Sequence, residues 1–330
     1  MTKRIPVSLR TSLRLFAHLQ MLPVLESGEE TLVGGQAVME GVMMRAPHSY
    51  CVAVRRPDGG IAVEEKPIAR MSEQYPIFKL PVFRGLGTLG QAMALGIKAL
   101  KFSANVALEG EQAAEAKPVS NKALAANLIF SLVFFIFLYK FIPLYLATAI
   151  GSHYAALHGR IAFNVVDGLI RIGIFIAFLT FVSRAKDIKR VFQYHGAEHK
   201  VVFNFESGRP VTVANAQSFT TWHPRCGTSF LLVVMVISML VYMLIPFDGF
   251  AAKLVSRIVL LPFITGISYE LIRFAAKRQG TAMAMLTAPG LWLQRVTTKP
   301  PSDDQAEVAI HALERAMSLE AAQDGELVIA

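Results

Sequence analysis

Charge is scarce in this sequence and cysteine scarcer. Charged residues make up only 17% of the 330-residue chain, where a soluble domain usually carries about 25%. The shortage falls between Leu124 and Ala275, which points to lipid rather than water as the solvent of that stretch. With two cysteines, Cys51 and Cys226, the chain has no disulfide framework to offer, and a reducing compartment is expected for both. Residues 1–25 lack the clean apolar core and small-residue cleavage site of a secretory signal peptide. The net charge is +9. No RNP-like run, zinc-finger spacing or aromatic–basic interleaving accompanies it, which sets nucleic acid aside as a partner. The glycine-rich run Gly34–Arg45 lacks the G-K-[ST] ending of a P-loop and the spacing of a dinucleotide fingerprint. No internal repeat of the kind common in transporters is present.

What the chain does have is apolar length. Hydrophobic residues are 53% of it. A bilayer crossing needs about 20 consecutive, mainly apolar residues. Four segments supply them: Leu124–Ile150, Phe163–Val182, Ser229–Phe247 and Lys253–Arg273. The loops between spans one and two and between three and four are poor in Lys and Arg. The segment after span two holds Arg184, Lys186, Lys189, Arg190 and Lys200, and Lys277 and Arg278 follow span four. Basic loops stay in the cytoplasm. The expectation is a multi-pass protein of the bacterial inner membrane, with both termini and segment 183–228 cytoplasmic.

The expected fold is a mainly α membrane protein. Residues 1–29 read as a tail or a surface amphipathic helix, with leucines near helical spacing. Residues 30–79 read as a small β-rich cytoplasmic unit. Within it Tyr50–Arg56 and Ile61–Lys66 flank the turn signal Pro57-Asp58-Gly59-Gly60, a hairpin pattern. Residues 80–122 read as interfacial or re-entrant helices and a linker, because glycines and charges interrupt 80–108. Residues 123–298 form a bundle of about four transmembrane helices carrying the cytoplasmic segment 183–228. In 299–330, Val308, Ala312, Leu313 and Met317 mark an amphipathic helix packed on the cytoplasmic part.

Chemistry concentrates in His195-Gly196-Ala197-Glu198-His199. Residues four apart share a helix face, so two imidazoles can grip one metal ion beside Glu198. This is the H-x-x-E-H pattern of inverted zinc peptidases, in which the Glu is the general base. His223 and Cys226 lie three apart, 24 residues beyond His199. Imidazole and thiolate are ligands zinc accepts. Zinc is favoured over iron or manganese because of the thiolate. Glu270 in span four could be a further ligand, or could pair with Arg273. Arg225 and Arg273 are candidates to stabilise an oxyanion. A bland reading also stands: His residues meeting headgroups and a buried small Cys. If His195, His199, His223 and Cys226 all bound, the site would be closed and structural. In the Gly34–Arg45 run, Glu40 and Arg45 could line a site or pair with each other.

The run Gly34–Arg45, with Tyr194–Lys200, His223–Ser229 and Tyr269–Arg273, resembles the YqhQ-like family of bacterial membrane proteins. The resemblance covers roughly residues 30–298 and leaves both ends outside. It implies a membrane placement and a metal-dependent enzyme without an agreed reaction. Only His195, Glu198 and His199 match the inverted zinc peptidases, which are large soluble proteins.

Three functions compete. One is a membrane-embedded, zinc-dependent enzyme, most plausibly a hydrolase, at the cytoplasmic face. The second is a non-enzymatic scaffold or assembly factor, whose zinc knot would serve a membrane or cytoplasmic protein partner. The third is a transporter using Lys140, Asp167 and Arg171 in the spans; four spans per chain would call for a homo-oligomer.

Overall fold

The computed structural model of the chain describes residues 33–108, 121–223, 226–277 and 281–322. The expected N-terminal tail or helix at 1–29, the linker 109–120, Arg225 and Arg278 lie outside the described residues. The described residues are mostly helical with one small sheet.

The sheet is an antiparallel meander of β1 (Gly34–Val38), β2 (Gly41–Arg45), β3 (Ser49–Arg55) and β4 (Ile61–Pro67). Strands β3 and β4 form the hairpin that the turn signal announces, with Arg55 opposite Ile61. The glycine-rich run forms a second hairpin, β1–β2, closed by Met39-Glu40 with Val38 opposite Gly41. Strand side chains alternate between faces, and here both faces are covered. Val42, Met44, Cys51 and Ala53 pack with Tyr194, Ala197, Val308 and Leu313 on one side. Val38, Met43, Tyr50, Val52 and Val54 pack with Leu95, Ala99 and Val106 on the other. Burial pushes the Cys51 thiol up to about 12, so it is an inert core side chain.

Among the described residues the helices run as follows. A single turn, α1 (Met71–Gln74), precedes α2 (Phe83–Leu108). Helix α3 (Asn121–Ile136) passes through a π turn, Phe137–Phe141, into α4 (Ile142–Gly151). Then come α5 (Arg160–Val182), α6 (Lys186–Glu206), α7 (Val213–Gln217) and α8 (Gly227–Leu244). The last four are α9 (Phe250–Val259), α10 (Leu261–Lys277), α11 (Thr281–Thr297) and α12 (Asp303–Ala321).

Two expectations change. Residues 83–108 form one 26-residue helix, α2, rather than a helix pair, and it covers the second face of the sheet. Two of its glycines are contact points: a Cβ on Gly85 would collide with Tyr269, and one on Gly96 with Gln36. The fourth apolar segment is not straight. Helices α9 and α10 meet at a 50° bend. Pro262 in the first turn of α10 has no N–H to donate back and its ring crowds the preceding turn, which breaks a helix there. Helix α11 is an element the sequence pattern did not single out.

Among the described residues, three helical stretches are long and apolar enough to cross a membrane: Ala125–Gly151, Arg160–Val182 and Gly227–Leu244. The bent α9–α10 pair makes a fourth if it counts as one. Their polarity is inverted relative to a water-soluble bundle. Phe130, Phe181 and Leu244 are exposed, whereas Lys140, Asp167, Arg171 and Arg257 are buried.

Helix α12 begins at a capping box, Ser302 with Gln305, which satisfies end amides that helix hydrogen bonds cannot reach. Its buried face, Val308, Ala312, Leu313 and Ala316, lies on the sheet. Near its far end the buried carboxylate of Glu320 accepts the His48 amide at 2.9 Å and the Ser49 hydroxyl at 2.7 Å. His48 Nδ1 stands 3.1 Å from the same group. Replacing Glu320 with Ala leaves buried donors unpaired, so a loss of roughly 1–3 kcal/mol is expected. Hydrogen exchange at the β2–β3 turn should quicken accordingly, and unchanged exchange would show that α12 is held by its apolar face alone.

Candidate metal centre

The site is built on α6. Helical spacing places His195 and His199 on one face, with ring centroids 4.4 Å apart. Each ring is held from behind by a backbone carbonyl. His195 Nδ1 lies 2.8 Å from the Thr297 oxygen, and His199 Nδ1 lies 2.5 Å from the Thr221 oxygen. A carbonyl only accepts, so both Nδ1 atoms carry the proton and both Nε2 lone pairs face the other way. This is the tautomer and backing that metal-ligating histidines adopt.

The third group is Cys226, at the N-cap of α8. Its Sγ lies 3.3 Å from His195 Nε2 and 3.1 Å from the Thr228 hydroxyl. The positive end of a helix macrodipole favours negative charge at that position. The ligand atoms of His195, His199 and Cys226 all lie within 4.8 Å of one another. With bonds of about 2.0 Å to nitrogen and 2.3 Å to sulfur, ligands of a tetrahedral zinc stand roughly 3.3–3.6 Å apart. The donor types are ones zinc accepts; the Cys226–His195 pair is already at that spacing, and the widest pair would have to close by as much as about 1.2–1.5 Å.

Glu198 sits beside these groups. One carboxylate oxygen is 3.6 Å from His199 Nε2 and 3.8 Å from His195 Nε2. It lies against β1, where a Cβ on Gly35 would come within 2.6 Å of the Glu198 side chain. The glycine run of the first hairpin therefore gives Glu198 its room.

The other candidates are placed elsewhere. His223 is not brought into the three-ligand cluster. Its Nε2 faces Glu206 at 3.4 Å and its ring packs on Phe203. Burial pushes its pKa down to about 4, with His195 adding to the fall and Glu198 opposing it, so it is neutral at pH 7. Glu270 is tied to the other side of the bundle, bound to the Arg84 guanidinium and to the Val82 amide. Arg273 adds only a long-range charge to Glu270. Glu40 pairs with Arg190 and Arg45 bonds Gln91, so these two do not pair with each other.

Several positioning groups gave no sequence signal beyond polarity in an apolar helix. Gln294 accepts from the His223 amide and donates to the His223 carbonyl, both at 2.7 Å, and its amide also reaches Ser229. It pins the backbone just ahead of Cys226. Lys200 donates to the Gln217 and Phe219 carbonyls, anchoring the loop that carries Thr221. A cleft of about 620 Å³, walled by Thr221, Trp222, Arg295 and Lys299, opens on the far side of that loop.

Helix α6 approaches the end of α11 very closely at Gly196, where a Cβ would lie 2.0 Å from the Lys299 carbonyl oxygen. The Lys299 amide in turn bonds the Phe192 carbonyl.

Residues 80–319 match the family described as "Protein of unknown function (DUF1385)". The match includes most of α12, which the resemblance read from the sequence had left outside. The chain is also 36% identical over 298 residues to the "Uncharacterized protein YqhQ" of Bacillus subtilis (strain 168), covering 87% of this chain and 93% of that protein. No solved structure matches the chain.

Gly196→Ala should force α6 away from residue 299 and open the site. In a Cys51→Ser background, maleimide labelling of Cys226 is expected to rise about tenfold, equivalent to about 1.4 kcal/mol of easier opening. Labelling as slow as in the parent would show that the contact relaxes without exposing the thiol.

Proposed function

Because the chain belongs to the family described as protein of unknown function DUF1385, with which no reaction comes, we propose a function from the site itself: a membrane-embedded, zinc-dependent hydrolase working at the cytoplasmic face. The observation that carries it is the convergence of three ligand atoms, two of them on imidazoles whose Nδ1 protons are fixed by carbonyls. Support for the membrane placement comes from the inverted polarity of the apolar helices, with aromatic and leucine side chains outward and charges inward.

In this reading His195, His199 and Cys226 hold the metal. A zinc bound there supplies Lewis acidity toward a substrate carbonyl or phosphoryl oxygen and makes a water more acidic. With three protein ligands, the site would suit a catalytic rather than a closed structural zinc. Glu198 takes the proton of the attacking water and later delivers it to the leaving group. Thr228 holds the Cys226 sulfur in place. His223, neutral and turned toward Glu206, supports the loop and binds no metal. Arg225 and Arg273 remain candidates for oxyanion stabilisation.

A second reading has one observation in its favour. His199 and Cys226 are 2% and 7% exposed, which suits a closed site stapling segment 183–228 to the bundle for the benefit of a protein partner.

Metal analysis of the detergent-purified protein separates these. About one zinc per chain is expected, lost in His195→Ala, His199→Ala and Cys226→Ala but kept in His223→Ala and Glu270→Ala. Metal lost in His223→Ala would mean a closed four-ligand site and would favour the scaffold. Glu198→Gln should keep the metal and lower hydrolysis by about 10²–10⁴-fold; loss of metal in that variant would make Glu198 a ligand and remove the general base. Reporter fusions should place residues 183–228 inside and the α4–α5 and α8–α9 connections outside, and an external 183–228 segment would reverse the placement.

A further inference from the structure

The second polar centre of the molecule lies in the apolar bundle and contains no metal-ligand set. Asp167 binds two arginines: one carboxylate oxygen accepts from Arg257 at 2.5 Å and the other from Arg171. Arg257 also reaches Asn164 at 3.1 Å, and Arg171 reaches Ser238 at 2.6 Å. Lys140 donates to the Tyr242 hydroxyl at 3.1 Å, and that hydroxyl donates to the Arg257 carbonyl. The π turn at Phe137–Phe141 carries Lys140 inward. All of these side chains are buried.

The charges do not balance. Two guanidinium groups share a single carboxylate, with the Lys140 amine beside them. Among the described residues Lys140 has no ion pair, and Arg171 Nε has no hydrogen-bond partner. Unmatched charge in an apolar interior is costly unless an opposite charge is supplied.

The network opens where an anion could enter. Asn164, Tyr242 and Arg257 form part of the wall of a cavity of about 620 Å³ between α4, α5, α8 and α9. The same wall carries Arg160 and Lys253 against one carboxylate, Asp248. Lys253 Nζ lies 4.2 Å from the centre of the Phe163 ring. Phe247 and Phe250 add apolar surface beside the cations. Tyr242 stands 16 residues along α8 from Cys226, about 24 Å at 1.5 Å per residue. The cavity is therefore at the opposite end of the bundle from the His/Cys cluster.

We propose that this cavity binds a phosphate-bearing anion, its phosphoryl oxygens bonded by Arg160 and Lys253 and its carbon portion lying on the phenylalanines. Phosphoryl groups suit the site because guanidinium forks bind them bidentately and because the wall carries more than one excess positive charge. A lipid headgroup and a free phosphate share this chemistry.

The test is native mass spectrometry of the full detergent-purified chain, titrated with phosphatidylglycerol, phosphatidylcholine or inorganic phosphate. One saturable phosphatidylglycerol per chain is expected, bound at least about tenfold more tightly than phosphatidylcholine. In the Arg160→Gln/Lys253→Gln variant the affinity should fall about tenfold or more. Neither residue is part of the Asp167 network, so the fold survives this change. His195→Ala should leave binding unaltered, which keeps the result independent of the metal reading. Saturable binding of inorganic phosphate, equally sensitive to the double variant and competing with the lipid, would assign the site to a soluble phosphate. Phosphatidylglycerol bound no better than phosphatidylcholine, together with no phosphate binding, overturns the proposal. So does binding that the double variant leaves intact.

Discussion

The candidate site depends on how closely α6 can approach the end of α11. At Gly196 the helix backbone touches the Lys299 carbonyl so tightly that no side chain fits between them. The Lys299 amide closes the contact from the other direction by bonding the Phe192 carbonyl. This puts the Thr297 carbonyl behind His195, fixes that ring's tautomer, and aims its Nε2 at Cys226. The same approach brings the start of α12 alongside α6, so one backbone contact sets both the site and the docking of the C-terminal helix on the sheet. Gly35 does the corresponding work on the opposite face, where β1 lies against Glu198. A helix with polar groups on one face is thus clamped between two backbones, with glycine at each point of pressure.

The bundle is governed by a different constraint. Backbone groups are satisfied within each helix, so apolar side chains can face outward, but the buried side-chain charges must find each other. Asp167 is the hub because its two oxygens serve guanidinium groups from two helices, Arg171 on its own α5 and Arg257 on α9. That tie spans the part of the bundle where the bend between α9 and α10 would otherwise leave α9 loosely held. Tyr242 adds a ring face to all three cations, with Lys140, Arg171 and Arg257 each 5.1–5.5 Å from its centroid, an interaction that strengthens when water is excluded.

The legible features were those whose signal is local. The apolar stretches, the β3–β4 turn, the amphipathic pattern of α12 and the H-x-x-E-H spacing can each be seen within a short window. The structure brings His195, His199 and Cys226 together. It separates His223 and Glu270, because their partners, Glu206 and Arg84, come from other elements. The tie between Arg84 and Glu270 crosses 186 positions, and no spacing rule reaches that far. Glycines misled in a consistent way. In α2 they read as interruptions, yet Gly85 and Gly96 are places where neighbouring side chains lie on the helix. The bend at Pro262 was legible in principle, since proline in a helical run weakens the turn before it, but the run's hydropathy masked it.

Whether a metal held by His195, His199 and Cys226 does chemistry or only holds the fold turns on Glu198. A carboxylate 3.6–3.8 Å from both Nε2 atoms is too near to be a bystander. If it entered the coordination sphere, it would complete four ligands and close the site. If it stays back, it is placed to accept a proton from a water in the open position. The Glu198 stem lies against β1 at Gly35. Gly35 gives the stem a slot there, since any Cβ at that position would meet it. A slot that holds the carboxylate's stem against β1 keeps its oxygens at the edge of the ligand cluster. It also links the glycine run and the H-x-x-E-H helix, two features far apart in the chain, as parts of one device.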